Sequence, residues 1–274
     1  MKIDAHHHFW KYNSNDFGWI SDDMKSIARD FMPNNFKPVL DYHGFDGSVL
    51  VQVNQNEEEN DFFIGLAKQN EFIKGLVGWV DLKSKDLPGR LAYYNQFSKL
   101  KGFRHLLQDE KEGFMDQADF VDGIKMLGNH GYTYDILVYP NQLKEAIRLV
   151  KNCSNSNFVL DHMAKPYIKD GKISQWANYI QKLSELPNVM CKVSGLVTEA
   201  NWKTWKKDDF FIYLDIVFGS FGVDRIMYGS DWPVSLLAAD YGQQLDIVES
   251  YFLQLTNNEK AKVFGLNAAK FYKL

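Results

Sequence analysis

Eight short, apolar, β-branched runs recur along the 274-residue chain, and stretches with helical spacing separate them. The runs are Lys2–His8, Gly47–Val53, Ile73–Leu82, Gly102–Leu107, Thr133–Tyr139, Asn157–His162, Asn188–Gly195 and Arg225–Asp231. Runs such as SVLVQV and NFVLDH are almost continuously apolar, the pattern of parallel strands covered on both faces. Parallel neighbours need crossover connections. Glu59–Asn70, Asp119–His130, Asn141–Asn152 and Ser174–Leu186 read as crossover helices, with Gly131 and Pro187 as stops for the second and fourth. Eight such units predict an α/β fold, a (β/α)8 barrel, as one domain over residues 1–274. A doubly wound open sheet is the alternative, but where it needs a glycine-rich first turn the chain has HHHFW. Two segments interrupt the alternation: Trp10–Asp46, with a short helix expected at Pro33–His43, and Ser194–Asp209. Long ordered loops at the C-terminal side of barrel strands often cover an active site.

Several function classes drop out. Lys and Arg number 31 against 35 Asp and Glu, so the net charge is −4 and no basic stripe marks a nucleic-acid binder. Nowhere do ~18 apolar residues run uninterrupted by charge, so no membrane span is expected. The start, MKIDAHHHFW, lacks the apolar core of a signal peptide, and two cysteines do not make a disulfide framework. A cytoplasmic protein is expected. Cys191, inside a strand, reads as a small buried hydrophobe. The phosphate-binding GxxxxGK[ST], the zinc-protease HExxH, CxxC and the GxSxG nucleophile elbow are all absent.

Chemistry in such a barrel sits at the C-terminal ends of the strands. His6 and His8 lie two apart in the first strand, so both imidazoles face one side, with Asp4 below them. Two converging imidazoles can hold a divalent cation or bind a substrate. His162 and Asp231 close the sixth and eighth strands. The alternation that turns them inward also turns Phe158, Leu160, Met227 and Gly229 inward. Arg104 and His105 are adjacent and face opposite ways. Arg104 is favoured for the site, to polarise a carbonyl or grip a carboxylate. Lys165 follows His162 in HMAKP as a substrate contact or a solvated surface residue. Lys192 lies mid-strand and needs an acidic partner, Asp161 or Asp231.

The segments IDAHHHFW, FGWI, GSVLVQV, GLVGWVDL, KGFRHLLQ, FVLDHMAKP, KVSGL and YGSDWPV spread from end to end. With them the chain resembles the amidohydrolase superfamily, most closely its sugar-acid lactonase branch. The resemblance implies a barrel of the metal-dependent hydrolase type that opens an L-fucono- or L-rhamnono-lactone-like substrate to the aldonate. His6, His8 and Asp231 would hold one divalent cation of the zinc type, in a branch that also includes members needing none. Asp231 would act as general base, His162 would orient water or polarise the carbonyl, and Arg104 would stabilise developing charge or bind the product carboxylate. Gln52, Asn54, Asp81, His105, Gln108, Asp135, Lys165 and Trp232 are the candidates for contacting substrate. Trp10, Trp19 and Trp202 are candidates for stacking on the sugar ring. The fifth strand, YDILVYP, has no His, and Lys101 stands at the wrong end of the fourth, so a two-metal centre is not expected. The alternatives are a metal-dependent decarboxylase and a non-catalytic sugar-acid-binding barrel. The partner expected is a small sugar lactone, and a homo-oligomer is left open.

Overall fold

The structure is a computed structural model and describes residues 1–274. Its eight parallel strands form one sheet in sequential order. They are β1 (Ile3–His7), β2 (Gly47–Val51), β3 (Ile73–Gly78), β4 (Leu100–His105), β5 (Thr133–Ile136), β6 (Asn157–Leu160), β7 (Val189–Val193) and β8 (Ile226–Tyr228). The ring closes where His7 pairs with Trp232 in a parallel bridge. The His8 N–H donates to the Trp232 carbonyl at 2.7 Å, and the Asp231 N–H donates to the His6 carbonyl at 2.8 Å. The result is a nearly closed (β/α)8 barrel, as the alternation predicts.

Helix α1 (Pro33–Tyr42) lies in the first insertion. Between the strands run α2 (Glu57–Gln69), α3 (Leu87–Tyr94), α4 (Ala118–Asn129), α5 (Leu143–Asn152), α6 (Ser174–Ser184) and α7 (Asp208–Phe221). After β8 come α8 (Tyr241–Tyr251), α9 (Asn257–Ala261) and α10 (Asn267–Tyr272). The expected helices stand within a few residues of their predicted bounds. Helix α2 starts two residues early because the Asn56 side chain accepts from the Glu59 N–H and caps it. The third and eighth strands are shorter than expected, since the chain leaves the ladder there to form the mouth. No helix is long and apolar enough to cross a membrane.

Two apolar clusters divide the core. A small one, inside the barrel, combines Ile3, Ala5, Val49, Val51, Val77, Val159 and Met227 with Ala268 and Tyr272 of α10, which plugs the floor. The large one lies between barrel and helices and takes the bulky side chains, among them Phe103, Tyr134, Phe158, Leu160 and Tyr228. Phe158 and Leu160 therefore face outward, contrary to the parity expected for them. Val159 and Asp161 face in. The narrow floor accepts valine-sized groups, whereas the outer layer can bury a phenylalanine for about 1.5–3 kcal/mol.

Strand β1 breaks its own alternation. A register shift between Asp4 and His7 lets Ala5 line the floor while His6 turns into the mouth. His7 packs between Phe9 and Phe36, at 4.7 and 4.5 Å. The Asp4 carboxylate does not sit below the imidazoles as expected. It accepts from the Ser230 N–H and, at 3.1 Å, from the Tyr241 hydroxyl of α8, so it ties the seam to the outer layer.

Candidate active site

Backbone strain aims the key side chains. His162, Met163, Ala164 and Lys165 all have φ between 48° and 59°, one left-handed turn without a glycine. Each such residue costs about 1–3 kcal/mol and persists only where the surroundings enforce it. Here Met163 and Ala164 are wholly buried, and the Trp176 indole N–H donates to the Met163 carbonyl at 2.7 Å. The turn swings His162 to the mouth although Asp161, not His162, continues the inward face of β6. Asp231 is held the same way, at φ 54°. Gly195, with φ 62°, passes directly beside the His162 ring.

Four ligand atoms converge there. His6 Nε2 lies 3.2 Å from His8 Nε2 and 3.8 Å from Asp231 Oδ1. His8 Nε2 is 3.3 Å and His162 Nε2 is 3.8 Å from the same Asp231 oxygen. The far nitrogens are tied back: His8 Nδ1 donates to the Val51 carbonyl at 2.8 Å, and His162 Nδ1 pairs with Ser194 Oγ at 2.9 Å. The bond to a carbonyl fixes the His8 tautomer and leaves its Nε2 with a lone pair. His6 is wholly buried, whereas His8, His162 and Asp231 keep 5–7 % of their side-chain surface. The latter three are the faces a solute can reach.

A buried ionic layer supports this rim from below. Lys192 Nζ lies 2.5 Å from Asp135 Oδ2 and 3.0 Å from Asp161 Oδ1, all wholly buried. Arg104 Nη1 donates to Asp161 Oδ2 at 3.0 Å. The layer holds two cations and two carboxylates and is neutral as a whole. The Tyr272 hydroxyl closes it, donating to Asp135 at 2.8 Å. His6 Nδ1 faces both Asp161 Oδ1, at 3.4 Å, and Lys192 Nζ, at 3.1 Å.

Titration follows this arrangement. Burial, with Lys192 adding to it, holds the His6 pKa well below its ordinary value. Burial lowers His162 to about 4, so both rings are neutral at pH 7. Burial alone would raise Asp161, but Lys192, His6 and Arg104 outweigh it and keep the carboxylate ionised. Burial also works against the charge on Asp231. The neighbouring imidazoles of His162 and His8 overcome it and hold Asp231 below the usual carboxylate range.

The structure brings His6, His8, His162, Arg104 and Asp231 together and separates several other candidates from them. Arg104 enters the barrel, as expected, but most of its N–H groups are already used. Nε and Nη2 donate to Gln52 Oε1, Nη2 also to the Gln52 carbonyl, and Nη1 faces Asp161 and, at 3.3 Å, His6 Nε2. A guanidinium in the barrel needs such partners, and apart from the Nη1 N–H that faces His6 Nε2 its donors are held by Gln52 and Asp161. Gln52 is consumed in holding it. Asp135 lies in the ionic layer beneath the site, out of reach of a substrate. His105 faces outward, stacked on Phe114 and 2.8 Å from Glu110. Asp81 is exposed and caps Lys83. Asn54 is bonded to Glu59. Trp232 packs face to face on Phe36, and Trp10 is buried with its N–H on the Arg29 carbonyl. Trp19 remains exposed and Trp202 half-buried. Lys165 and Gln108 stand half-buried at the rim. Lys192 pairs with Asp161, one of its two expected partners, and with Asp135 instead of Asp231. Ser194 meets His162, and Asp161 links Arg104 to His6, across strands whose pairing no local spacing signals.

Known proteins resemble this chain along its whole length. The amidohydrolase family model matches residues 3–274. The chain belongs to the amidohydrolase family. Among curated relatives, this amidohydrolase is similar to the L-fucono-1,5-lactonase of Burkholderia multivorans, 36 % identical over 100 % of this chain and 96 % of the relative. It is more distantly similar to the L-rhamnono-gamma-lactonase of Scheffersomyces stipitis, at 23 % identity over 66 % of this chain and 61 % of that one. A crystal structure of an amidohydrolase from Burkholderia multivorans with bound Zn superposes with a TM-score of 0.97, at 37 % identity, covering 100 % of this chain and 99 % of the other.

The donor set of this amidohydrolase fits one divalent cation. Four ligands at about 2.0–2.1 Å around a tetrahedral centre lie about 3.3–3.4 Å from each other. His6 Nε2, His8 Nε2 and Asp231 Oδ1 are separated by 3.2, 3.3 and 3.8 Å, so three ligands fit such a centre and one position stays open. His6, His8 and Asp231 form one mutually close triad, and His162, whose Nε2 lies 3.8 Å from Asp231 Oδ1, stands beside it and outside it. Lys101 bonds the Lys273 carbonyl at the barrel floor, and β5 offers no histidine, so nothing builds a second centre of the bridged kind.

Proposed function

We propose that this protein is a lactonase that hydrolyses a sugar-acid lactone to the aldonate, with an L-fucono-lactone-like substrate. The observation that carries the reading is the convergence of Asp231 Oδ1 with three imidazole Nε2 atoms, 3.3–3.8 Å away, at the barrel mouth. The full-length similarity to an L-fucono-1,5-lactonase supplies the substrate class. Both ends of the chain contribute to the one barrel, β1 at the seam and α10 at the floor, which supports reading residues 1–274 as one domain.

A lactone is an ester, so its opening needs a deprotonated water, a stabilised carbonyl oxygen and a proton for the leaving ring oxygen. Asp231 takes a proton from water as the water oxygen bonds to the carbonyl carbon. The bond from that carbon to the ring oxygen then breaks, and Asp231 returns the proton to the alkoxide. His162, neutral and anchored by Ser194, orients the water with Nε2. His6, His8 and Asp231 would hold a divalent cation, which when bound lowers the pKa of water and polarises the carbonyl. Arg104 and Asp161 act through His6: they position its ring and balance the charge beneath it. This replaces a direct role for Arg104, whose other donors are held by Gln52 and Asp161.

The test is acid release, followed with a pH indicator, on a panel of L-fucono-, L-galactono- and L-rhamnono-lactones with and without chelator. Turnover of a stereochemically related subset is expected. Spontaneous rates throughout the panel would refute the reading and turn attention to decarboxylation or binding alone.

A further inference from the structure

The rim next to the histidine cluster carries polar groups that the protein itself leaves unanswered. Lys165, on the left-handed turn after β6, holds its ammonium 5.3 Å over the Tyr139 ring and forms no ion pair. Glu199 ends the short helical turn Val197–Glu199 in the β7–α7 connection. It is half-buried, and its carboxylate accepts no hydrogen bond from the protein. It is near enough to Lys165, Asp231 and Tyr139 for its charge to act on all three. Gln108 Oε1 is buried and has no partner either.

The Glu199 loop is held firmly. Thr198 Oγ1 donates to the Gly195 carbonyl at 2.8 Å, and the Trp202 indole N–H donates to the Thr198 carbonyl at 2.9 Å. Thr198, Glu199, Asn201 and Trp202 of this loop line a cavity of about 590 Å³ together with Asp23 and Lys169. That volume suits a small-molecule ligand. The same loop begins at Gly195, which packs against the His162 ring, so the segment that carries Glu199 borders the histidine cluster. Burial raises its pKa, and the neighbouring Lys165 opposes that shift.

An ionised carboxylate only accepts hydrogen bonds, and an ammonium only donates them. A fixed, half-buried pair of this kind is answered by a ligand that does both at adjacent positions, as vicinal hydroxyls do. We propose that Glu199 is a specificity-determining residue: its carboxylate accepts from ring hydroxyls of the bound sugar lactone, while Lys165 donates to a neighbouring hydroxyl oxygen. The inference rests on the lactonase reading and adds to it the residues that recognise hydroxyls. Glu199 takes no part in the bond changes at the carbonyl. It holds the ring so that the carbonyl meets Asp231.

The experiment compares kcat/KM for the best sugar lactone with that for unsubstituted δ-valerolactone in wild type, Glu199→Gln, Glu199→Ala and Lys165→Met. A site built to bond a hydroxyl discriminates strongly against an analogue lacking it. The preference for the hydroxylated lactone is expected to fall at least about tenfold in Glu199→Ala, carried mainly by KM, with Glu199→Gln between it and wild type. The amide keeps one acceptor oxygen and the shape of the side chain, so it also guards against misfolding. A wild-type preference in both Glu199 variants overturns the inference, as does an equal loss on both lactones through kcat. If wild type opens no lactone, the lactonase reading and this inference fall together. If wild type does and the variants keep its preference, this inference alone falls.

Discussion

Gly195 lies so close to His162 that a Cβ at position 195 would stand 2.7 Å from Nδ1 and 2.9 Å from Cγ of the ring. Its φ of 62° belongs to the left-handed region, so two independent constraints reserve the position for glycine. Gly195→Ala is expected to cost about 1–2 kcal/mol in stability from the backbone alone. It should also push His162 off Ser194 and away from Asp231. A displacement near 1 Å lowers turnover by about 100-fold. Urea unfolding and kcat measured on one preparation check both parts, and an unchanged kcat would show that the ring does not need its present place.

Asp231→Asn keeps the shape of the side chain and removes the base. Turnover should drop by more than ~100-fold in a protein that unfolds at nearly the wild-type midpoint. Near wild-type turnover would remove Asp231 from the proton transfers.

Metal-stripped protein titrated with zinc in a calorimeter should bind one equivalent, and His8→Ala should abolish that binding. Ser194→Ala removes only the group that orients His162, so zinc should still bind while turnover falls about 10–100-fold. Two equivalents bound at similar affinity would contradict a single centre.

Lys192 neutralises Asp135 and Asp161 where no water reaches them. Replacing it with methionine leaves a surplus of buried negative charge, for an expected loss of about 3–5 kcal/mol in unfolding free energy. A loss below about 1 kcal/mol would mean that the two carboxylates share a proton instead.

Glu59 on α2 binds the N–H groups of Val53 and Asn54 and so secures the end of β2 beside the mouth. Burial pushes its pKa up to about 7, against an ordinary 4.5. The folded state therefore holds this proton more tightly than the unfolded chain. Its contribution is complete below pH 4.5 and is lost as pH rises through about 7. Stability should fall between about pH 4.5 and 7 in wild type, and Glu59→Gln should flatten that fall. An equally steep fall in the variant would assign it to other groups.

What could be read from the sequence is local or periodic. Strand and helix periods follow from backbone geometry, so eight apolar runs between helical stretches specified a barrel and placed its polar residues at one rim. His6 and His8, two residues apart, needed only that period to be paired. Parity at the strand ends depended on more. The shift in β1 that sends Ala5 to the floor and His6 to the mouth, and the left-handed turn that presents His162 after Asp161, are enforced by packing across the barrel. No local preference favours four left-handed residues in a row. The same holds for partners: Arg104 with Gln52 and Asp161, Lys192 with Asp135, Tyr272 beneath them. Each joins positions at least 50 residues apart, because a charge buried in the barrel must find its counter-charge on whichever strand the closed sheet brings near it. The sequence alone determined which residues could do chemistry at the rim. Only the closed barrel decided which of them stay open at the mouth and which are occupied with one another.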